Sequence, residues 1–300
     1  MIDGALLLDK PVGLSSNAAL QRVKRLFGAA KAGHAGTLDP LASGLLPVLF
    51  GEATKLAGML LDADKEYVAS LKLGESTATG DAEGEILERK DVAVSREQLD
   101  AALERFRGEI QQVPPMYSAL KHNGMPLYRM ARRGQSVDRP PRKVVISELE
   151  LLDFQFPTLQ LRIRCSKGTY VRTLAEDLGR SLGSCAHLTA LRRTGSGRFS
   201  VREAVTLEAL EGMDENQRAQ QLIPLAGLLR EFPRCELDDG AELRFRNGQQ
   251  LQLEGLSEGL CAVYGSGGGV IGLGLADATG RLRPVRLTAS QAAEKHQKNL

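Results

Sequence analysis

The segment Gly33-His34-Ala35-Gly36-Thr37-Leu38-Asp39-Pro40-Leu41-Ala42-Ser43-Gly44-Leu45-Leu46-Pro47 constrains the chain more than any other. Glycines at 33, 36 and 44 permit turns closed to other residues and let a second backbone or a ligand come close. Pro40 pushes Asp39 out of the helical region into extended geometry. Helices and strands have no need for such punctuation, whereas binding loops do. The fold must place a loop here and present the Asp39 carboxylate on it. Pro40 is expected to open a short helical run after the loop.

Three hundred residues suffice for a large core and suggest two domains. A hydrophobic fraction of 42% with 25% charged residues is ordinary for a globular chain in water. No stretch approaches the ~18 consecutive apolar residues of a membrane helix, so no membrane association is expected. The start, Met1-Ile2-Asp3-Gly4, carries neither a basic segment nor a cleavage pattern, which argues against secretion. Cys165, Cys185, Cys235 and Cys261 are far apart with no paired histidine nearby. That spacing suits reduced thiols in the cytoplasm better than zinc or a disulfide framework, and no metal is expected.

The formal net charge of +2 hides an uneven distribution. Residues 129–143 carry six basic side chains against the single acid Asp138, a local +5. Residues 162–202 carry nine against Glu176 and Asp177, a local +7, and residues 203–259 reverse to −7. A basic middle is the electrostatic footprint expected for a polyphosphate partner.

Apolar Ala5–Leu8 reads as a strand leaving into the Asp9-Lys10-Pro11-Val12-Gly13 turn. Ser15 or Ser16 can cap a helix whose apolar face is Leu20, Val23, Leu26 and Phe27, with Gly28 as its stop. Residues 45–50 read as a buried strand, and 65–74 alternate with Tyr67, Ala69, Leu71 and Leu73 on one face. Ser95 and Gln98 form a capping box for a helix through Leu99, Leu103 and Phe106. Asn123-Gly124 marks a turn, and Pro126 can start a short basic helix. Leu159, Leu161, Ile163 and Cys165 alternate with Gln160, Arg162 and Arg164, and residues 170–182 read as a helix. Near residue 230 the pattern changes to short β-like runs (251–253, 260–264, 270–275) between glycine-rich turns, ending in a polar tail from Gln291. Strands and helices mix without βαβ regularity, so the expected class is α+β.

Gly267-Gly268-Gly269-Val270-Ile271-Gly272 fits a dinucleotide fingerprint on paper, but the following alternation continues as a strand where that fingerprint must open a helix. It reads as a hairpin turn. Ser43, His34 and Asp39 lie too close in sequence for a nucleophilic triad.

The Gly33–Gly44 loop closely resembles the active-site motif of the TruB family, the tRNA pseudouridine-55 synthases. Five further segments resemble family motifs in the same order: Leu8-Asp9-Lys10-Pro11 with Gly13 and Ser15-Ser16; Asp64-Lys65-Glu66-Tyr67; Tyr117-Ser118-Ala119-Leu120-Lys121; Ser166-Lys167-Gly168-Thr169-Tyr170-Val171-Arg172; and Leu191-Arg192-Arg193-Thr194. The likeness spans about residues 4–200, and the rest is more loosely similar to a PUA RNA-binding module. One departure is Ala78, where members often carry an acid.

The resemblance implies a mixed-sheet synthase core over residues 1–230, a basic thumb at about 117–143, and a PUA-like β-rich domain over 231–300. It implies that Asp39 is the catalytic carboxylate, that Tyr67 stacks on the target base, and that Arg172 pairs with Asp39. Leu191 and Tyr170 would line the pocket, His34 would contact the displaced RNA region, and Lys10 would support the site. The expected substrate is the T-stem-loop of tRNA, handled by a monomer with no cofactor and no obligatory protein partner. The chemistry fits these residue types. Breaking the N1–C1′ bond of uridine and rejoining uracil through C5 needs no redox change, and a carboxylate can add covalently or stabilise positive charge at the sugar. An adjacent guanidinium keeps that carboxylate ionised.

Overall fold

The computed structural model describes residues 2–91 and 93–289. The tail from Gln291 lies outside them. A ten-stranded mixed sheet organises the first three-quarters of the chain. Its main path runs Val205–Thr206, Gly4–Lys10, Ala42–Phe50, Ala186–Ser196, Lys65–Leu73, Thr158–Cys165, Arg142–Gln155, Gly108–Gln112. Ala186–Ser196 is central: it lies parallel to Ala42–Phe50 and antiparallel to Lys65–Leu73. Strands distant in sequence therefore meet at its C-terminal half.

The alternating apolar residues do what their period demands. Ala69, Leu71 and Leu73 are at most 1% exposed and join Leu159, Leu161 and Ile163 in one core under the helices Val171–Ser181 and Arg96–Glu104. The helix Ser16–Leu26, capped by the Ser15 hydroxyl, buries Ala19, Leu20 and Val23 against Leu6, Leu8 and Phe50 in a second core. Each such burial contributes roughly 1.5–3 kcal/mol. Phe50 is fully buried and its ring centroid lies 4.9 Å from that of Phe27, so Phe50→Ala would cost about 3–5 kcal/mol. Tyr67 and Leu191 are only partly buried and touch both cores. They mark the seam where the fold opens.

The Ser95–Gln98 capping box forms as expected, and Asn123 (φ 49°) with Gly124 (φ 82°) turns the small hairpin that precedes the helix Leu127–Ala131. Two expectations fail. Pro40 opens no helix: Ala42 hydrogen-bonds back to the Asp39 carbonyl in a turn and the chain enters the strand Ala42–Phe50 directly. Pairing with Gly4–Lys10 on one side and Leu191–Arg193 on the other outweighs the helical preference of an Asp-Pro start. Likewise, the basic 162–202 stretch is not one RNA-facing surface. Arg162 and Arg164 pair with Glu150 and Glu148 on the neighbouring strand, while Arg172 and Arg193 are buried.

After residue 230 a five-stranded sheet runs Arg234–Glu236, Gly259–Tyr264, Val270–Ala276, Arg281–Leu287, Leu251–Gln252. The Gly267–Gly269 run is the turn between two of these strands, as its context suggested. The helix Asp239–Arg246 was not anticipated, nor was the strand Arg281–Leu287. Ala262, Tyr264, Val270 and Leu273 share a core with Leu45, Leu49, Leu225 and Leu228, so this sheet packs directly onto the first.

Candidate active site

The loop carrying Asp39 is held by the turn and the helix that follow the first strand. The Ser16 hydroxyl donates to the Leu38 carbonyl at 2.9 Å and accepts from the Leu38 amide at 2.7 Å. Gly13 donates to the Pro40 carbonyl at 2.8 Å. Lys10 is fully buried, with Nζ donating to the carbonyls of Pro11 (2.8 Å) and Leu14 (2.7 Å). Gly44 (φ +100°) lets the two parallel strands close in: a Cβ there would stand 2.2 Å from the Arg193 carbonyl oxygen.

Asp39 faces a cavity of about 280 Å³ that is also lined by Tyr67, Tyr170, Arg172, Leu191 and Arg193. Arg172 enters from the first turn of Val171–Ser181 and is 6% exposed. Its Nη2 lies 3.0 Å from Asp39 Oδ2, and its Nε lies 3.6 Å from Asp81 Oδ2. It also donates to the carbonyls of Thr79 (2.9 Å) and Tyr117 (2.6 Å), so every face of the fork is engaged. The Tyr117 contact reaches into the base of the basic insertion.

Burial in the cavity raises the Asp39 pKa above the ordinary aspartate value. The Arg172 guanidinium opposes this, the Asp81 carboxylate reinforces it, and the Lys10 ammonium opposes it more weakly. Although 42% of the Asp39 side chain remains open to solvent, the walls of the cleft crowd it. Burial lowers the Lys10 pKa to about 8, Asp39 resists, and Arg193 adds to the fall. Burial and then Arg193 also lower the His34 pKa, which leaves the ring neutral at pH 7.

Of the residues singled out from sequence, Asp39, Tyr67, Tyr170, Arg172 and Leu191 meet at one cavity. Lys10 holds the backbone of the adjoining turn through the Pro11 and Leu14 carbonyls, and His34 lies outside the cavity lining at the end of the strand Ala32–His34. Tyr170 is fixed by Gln112, whose buried amide bonds both the Tyr170 amide (3.0 Å) and carbonyl (3.2 Å). The Arg142 guanidinium stacks 4.8 Å from its ring centroid.

Sequence reasoning missed Asp81 and Arg193. Asp81 (3% exposed) is the second carboxylate on Arg172 and is fixed by Thr79 Oγ1 at 2.5 Å. Arg193 is 1% exposed and donates to the carbonyls of Leu45 (2.7 Å) and Gly36 (3.1 Å). Strand alternation carries the signal for it. Leu191 and Arg193 share a face, and Arg193 pairs with Tyr67 in the antiparallel register, whereas Arg192 points the other way and binds Asp9 at 2.7 and 3.0 Å.

A carboxylate beside a buried guanidinium, next to a tyrosine face and an aliphatic wall, can receive a flat base and act on the carbon to which it is attached. Known proteins similar to this chain point the same way. The TruB family pseudouridylate synthase N-terminal domain matches residues 24–171, the tRNA pseudouridylate synthase B C-terminal domain residues 172–232, and the pseudouridine synthase II TruB C-terminal domain residues 233–288. A tRNA pseudouridine synthase B from Burkholderia mallei (strain NCTC 10247) is 52% identical over 298 residues, covering 97% of this chain and 98% of that one. The tRNA pseudouridine synthase B of Azoarcus sp. (strain BH72) is 50% identical over 294 residues, covering 98% and 97%. Among solved structures, a chain of a Cbf5-Nop10-Gar1 complex superposes with a TM-score of 0.70 at 26% identity, covering 96% of this chain and 84% of that one. The chain belongs to the TruB family of pseudouridine synthases and has the fold of that enzyme class.

Proposed function

We propose that this family member isomerises uridine to pseudouridine at position 55, in the T-arm of tRNA, acting as a monomer in the cytoplasm without a cofactor or an obligatory protein partner. The observation that carries the reading is the Asp39–Arg172 pair at 3.0 Å on the wall of a cavity shared with Tyr67. A base inside a stacked loop must leave the stack before a carboxylate can reach it, at a cost of a few kcal/mol. Stacking on an aromatic ring returns about 1–3 kcal/mol, the part assigned to Tyr67. Leu191 and Tyr170 bound the pocket, His34 meets RNA displaced around the target, and Lys10 supports the site through the turn at Pro11–Leu14.

Asp39 is the catalytic carboxylate: it faces C1′ of the target nucleotide, where positive charge develops as the N1–C1′ bond breaks. Arg172 keeps it ionised and aimed. Four free, buried cysteines suit a reducing compartment.

We assign the chemistry to residues 1–230, with the thumb at about 117–143, and RNA binding to residues 231–300, where Arg281, Arg283 and Arg286 are exposed on one strand. The test compares intact tRNA, a bare T-arm hairpin and ribosomal RNA as substrates, with the modified position mapped by mass spectrometry. Turnover at the T-arm uridine of the first two supports the reading. Turnover of ribosomal RNA alone would move the enzyme to another substrate, and RNA binding without turnover would leave only a binding module.

A further inference from the structure

Arg193 is among the largest fully buried side chains of the described residues, and it lies on the lining of the reaction cavity. Its neighbour Arg192 has a carboxylate, Asp9, on both nitrogens. Among the described residues, no carboxylate comes within ion-pairing distance of Arg193. Its hydrogen-bond partners are two backbone carbonyls, of Leu45 and Gly36, and it stands opposite Tyr67 in the strand register. Gly36, at φ +96°, leaves the room: a Cβ there would sit 3.3 Å from an Arg193 terminal nitrogen. An unpaired buried cation is costly, and neutral acceptors offset that cost only in part. Its positive potential is therefore open to any anion that arises in the cavity. Burial lowers the pKa of Lys10, His34 and Lys65, and the Arg193 charge adds to each fall.

We propose that Arg193 stabilises the negative charge that collects on uracil when the N1–C1′ bond breaks. The inference rests on the synthase reading above. As the bond breaks, its electron pair passes to the base, which becomes a uracil anion, and Asp39 meets the electron-poor C1′. The base turns, C5 supplies the pair for the new C5–C1′ bond, and the C5 proton leaves to solvent while N1 takes one up, so the product is a neutral isomer of the substrate. Electrons balance without an oxidant. Two opposite charges thus form in one cavity, and the protein faces each with its complement: Asp39 toward the sugar, Arg193 toward the base. A preorganised cation at a developing anion acts with little reorganisation at the moment of reaction.

The test is single-turnover rearrangement of a T-arm hairpin carrying either uridine or 5-fluorouridine at the target. The product is counted by mass spectrometry as a C-glycoside, which keeps its base on fragmentation. Fluorine at C5 withdraws electrons and stabilises the uracil anion unaided. Arg193→Gln is expected to slow the uridine hairpin about 10²–10³-fold and the 5-fluorouridine hairpin roughly tenfold less, with RNA binding retained. Arg193→Lys keeps the charge without the fork. It is expected to lose less rate with the same substrate difference, and it carries the test if the glutamine variant misfolds. Equal slowing of the two hairpins, or no slowing, would overturn the inference and leave Arg193 a structural support. Failure of the wild-type protein to rearrange the uridine hairpin would instead remove the reading on which it rests.

Discussion

The Ser16 hydroxyl grips Leu38 by both its backbone groups, accepting from the amide at 2.7 Å and donating to the carbonyl at 2.9 Å. Leu38 precedes Asp39, so this clasp sets where the carboxylate points. Ser16→Ala would leave a buried amide and carbonyl without partners, at a cost of about 1–3 kcal/mol. The expected outcome is a lower urea midpoint together with a fall in kcat larger than any rise in KM. Loss of stability with unchanged kcat would mean that the loop holds its shape without Ser16.

Asp81 shares Arg172 with Asp39 and also raises the Asp39 pKa. In Asp81→Asn, Arg172 is free to turn wholly to Asp39, and one source of the raised pKa is gone. The acid limb of the kcat/KM profile, which reports the free enzyme, should therefore move to lower pH. The plateau should fall about 10–10²-fold, because the guanidinium loses one of its anchors. A limb that moves to higher pH, or stays in place, would contradict this arrangement of charges.

A related sign applies to stability. Asp39 is raised in the folded state, so the folded protein binds its proton more tightly than the unfolded chain. Between the unfolded and folded pKa values stability drops as pH rises, and above the folded value the ionised carboxylate is a standing cost. Asp39→Asn should thus unfold at an equal or higher temperature than wild type at pH 7, with any gain vanishing in acid below both pKa values. A clearly lower Tm at pH 7 would show that the Arg172 pair outweighs desolvation.

Lys10 behaves oppositely to the usual surface lysine. Its pKa of about 8 lies below the unfolded value, so the unfolded chain binds more protons between the two and stability rises with pH through that window. Lys10→Met removes the donor to Pro11 and Leu14 and with it this alkaline gain. Thermal unfolding of the two proteins from pH 7 to pH 10 should show the rise in wild type and a flatter trend in the variant. Parallel trends would place the titration elsewhere.

Much of this site was legible in the chain because loop motifs announce themselves. Glycine and proline fix where the chain must turn, and Asp39, Tyr67, Arg172 and Leu191 each stand in a distinctive local pattern. What stayed hidden depends on pairings made across long sequence separations. Arg193 reads as half of a basic dipeptide until the register with Tyr67 turns it inward and Arg192 outward. Asp81 looks like a turn residue until Arg172, ninety-one positions later, reaches it. The short run after Pro40 shows the converse: local preference favoured a helix, and pairing on both edges made it strand. The helix Asp239–Arg246 could have been found, since Asp238 caps it and Ala241 and Phe245 stand one turn apart on the buried side.

The first measurement to make is tritium release from tRNA labelled at uridine C5, with wild type and Asp39→Asn side by side. C5 surrenders its hydrogen only when the new carbon–carbon bond forms there. One tritium released per tRNA by wild type, and none by Asp39→Asn that still binds the same tRNA, is the expected result. Release by the asparagine variant at the wild-type rate would contradict the role given to Asp39, and no release by wild type from folded, bound tRNA would contradict the synthase reading itself.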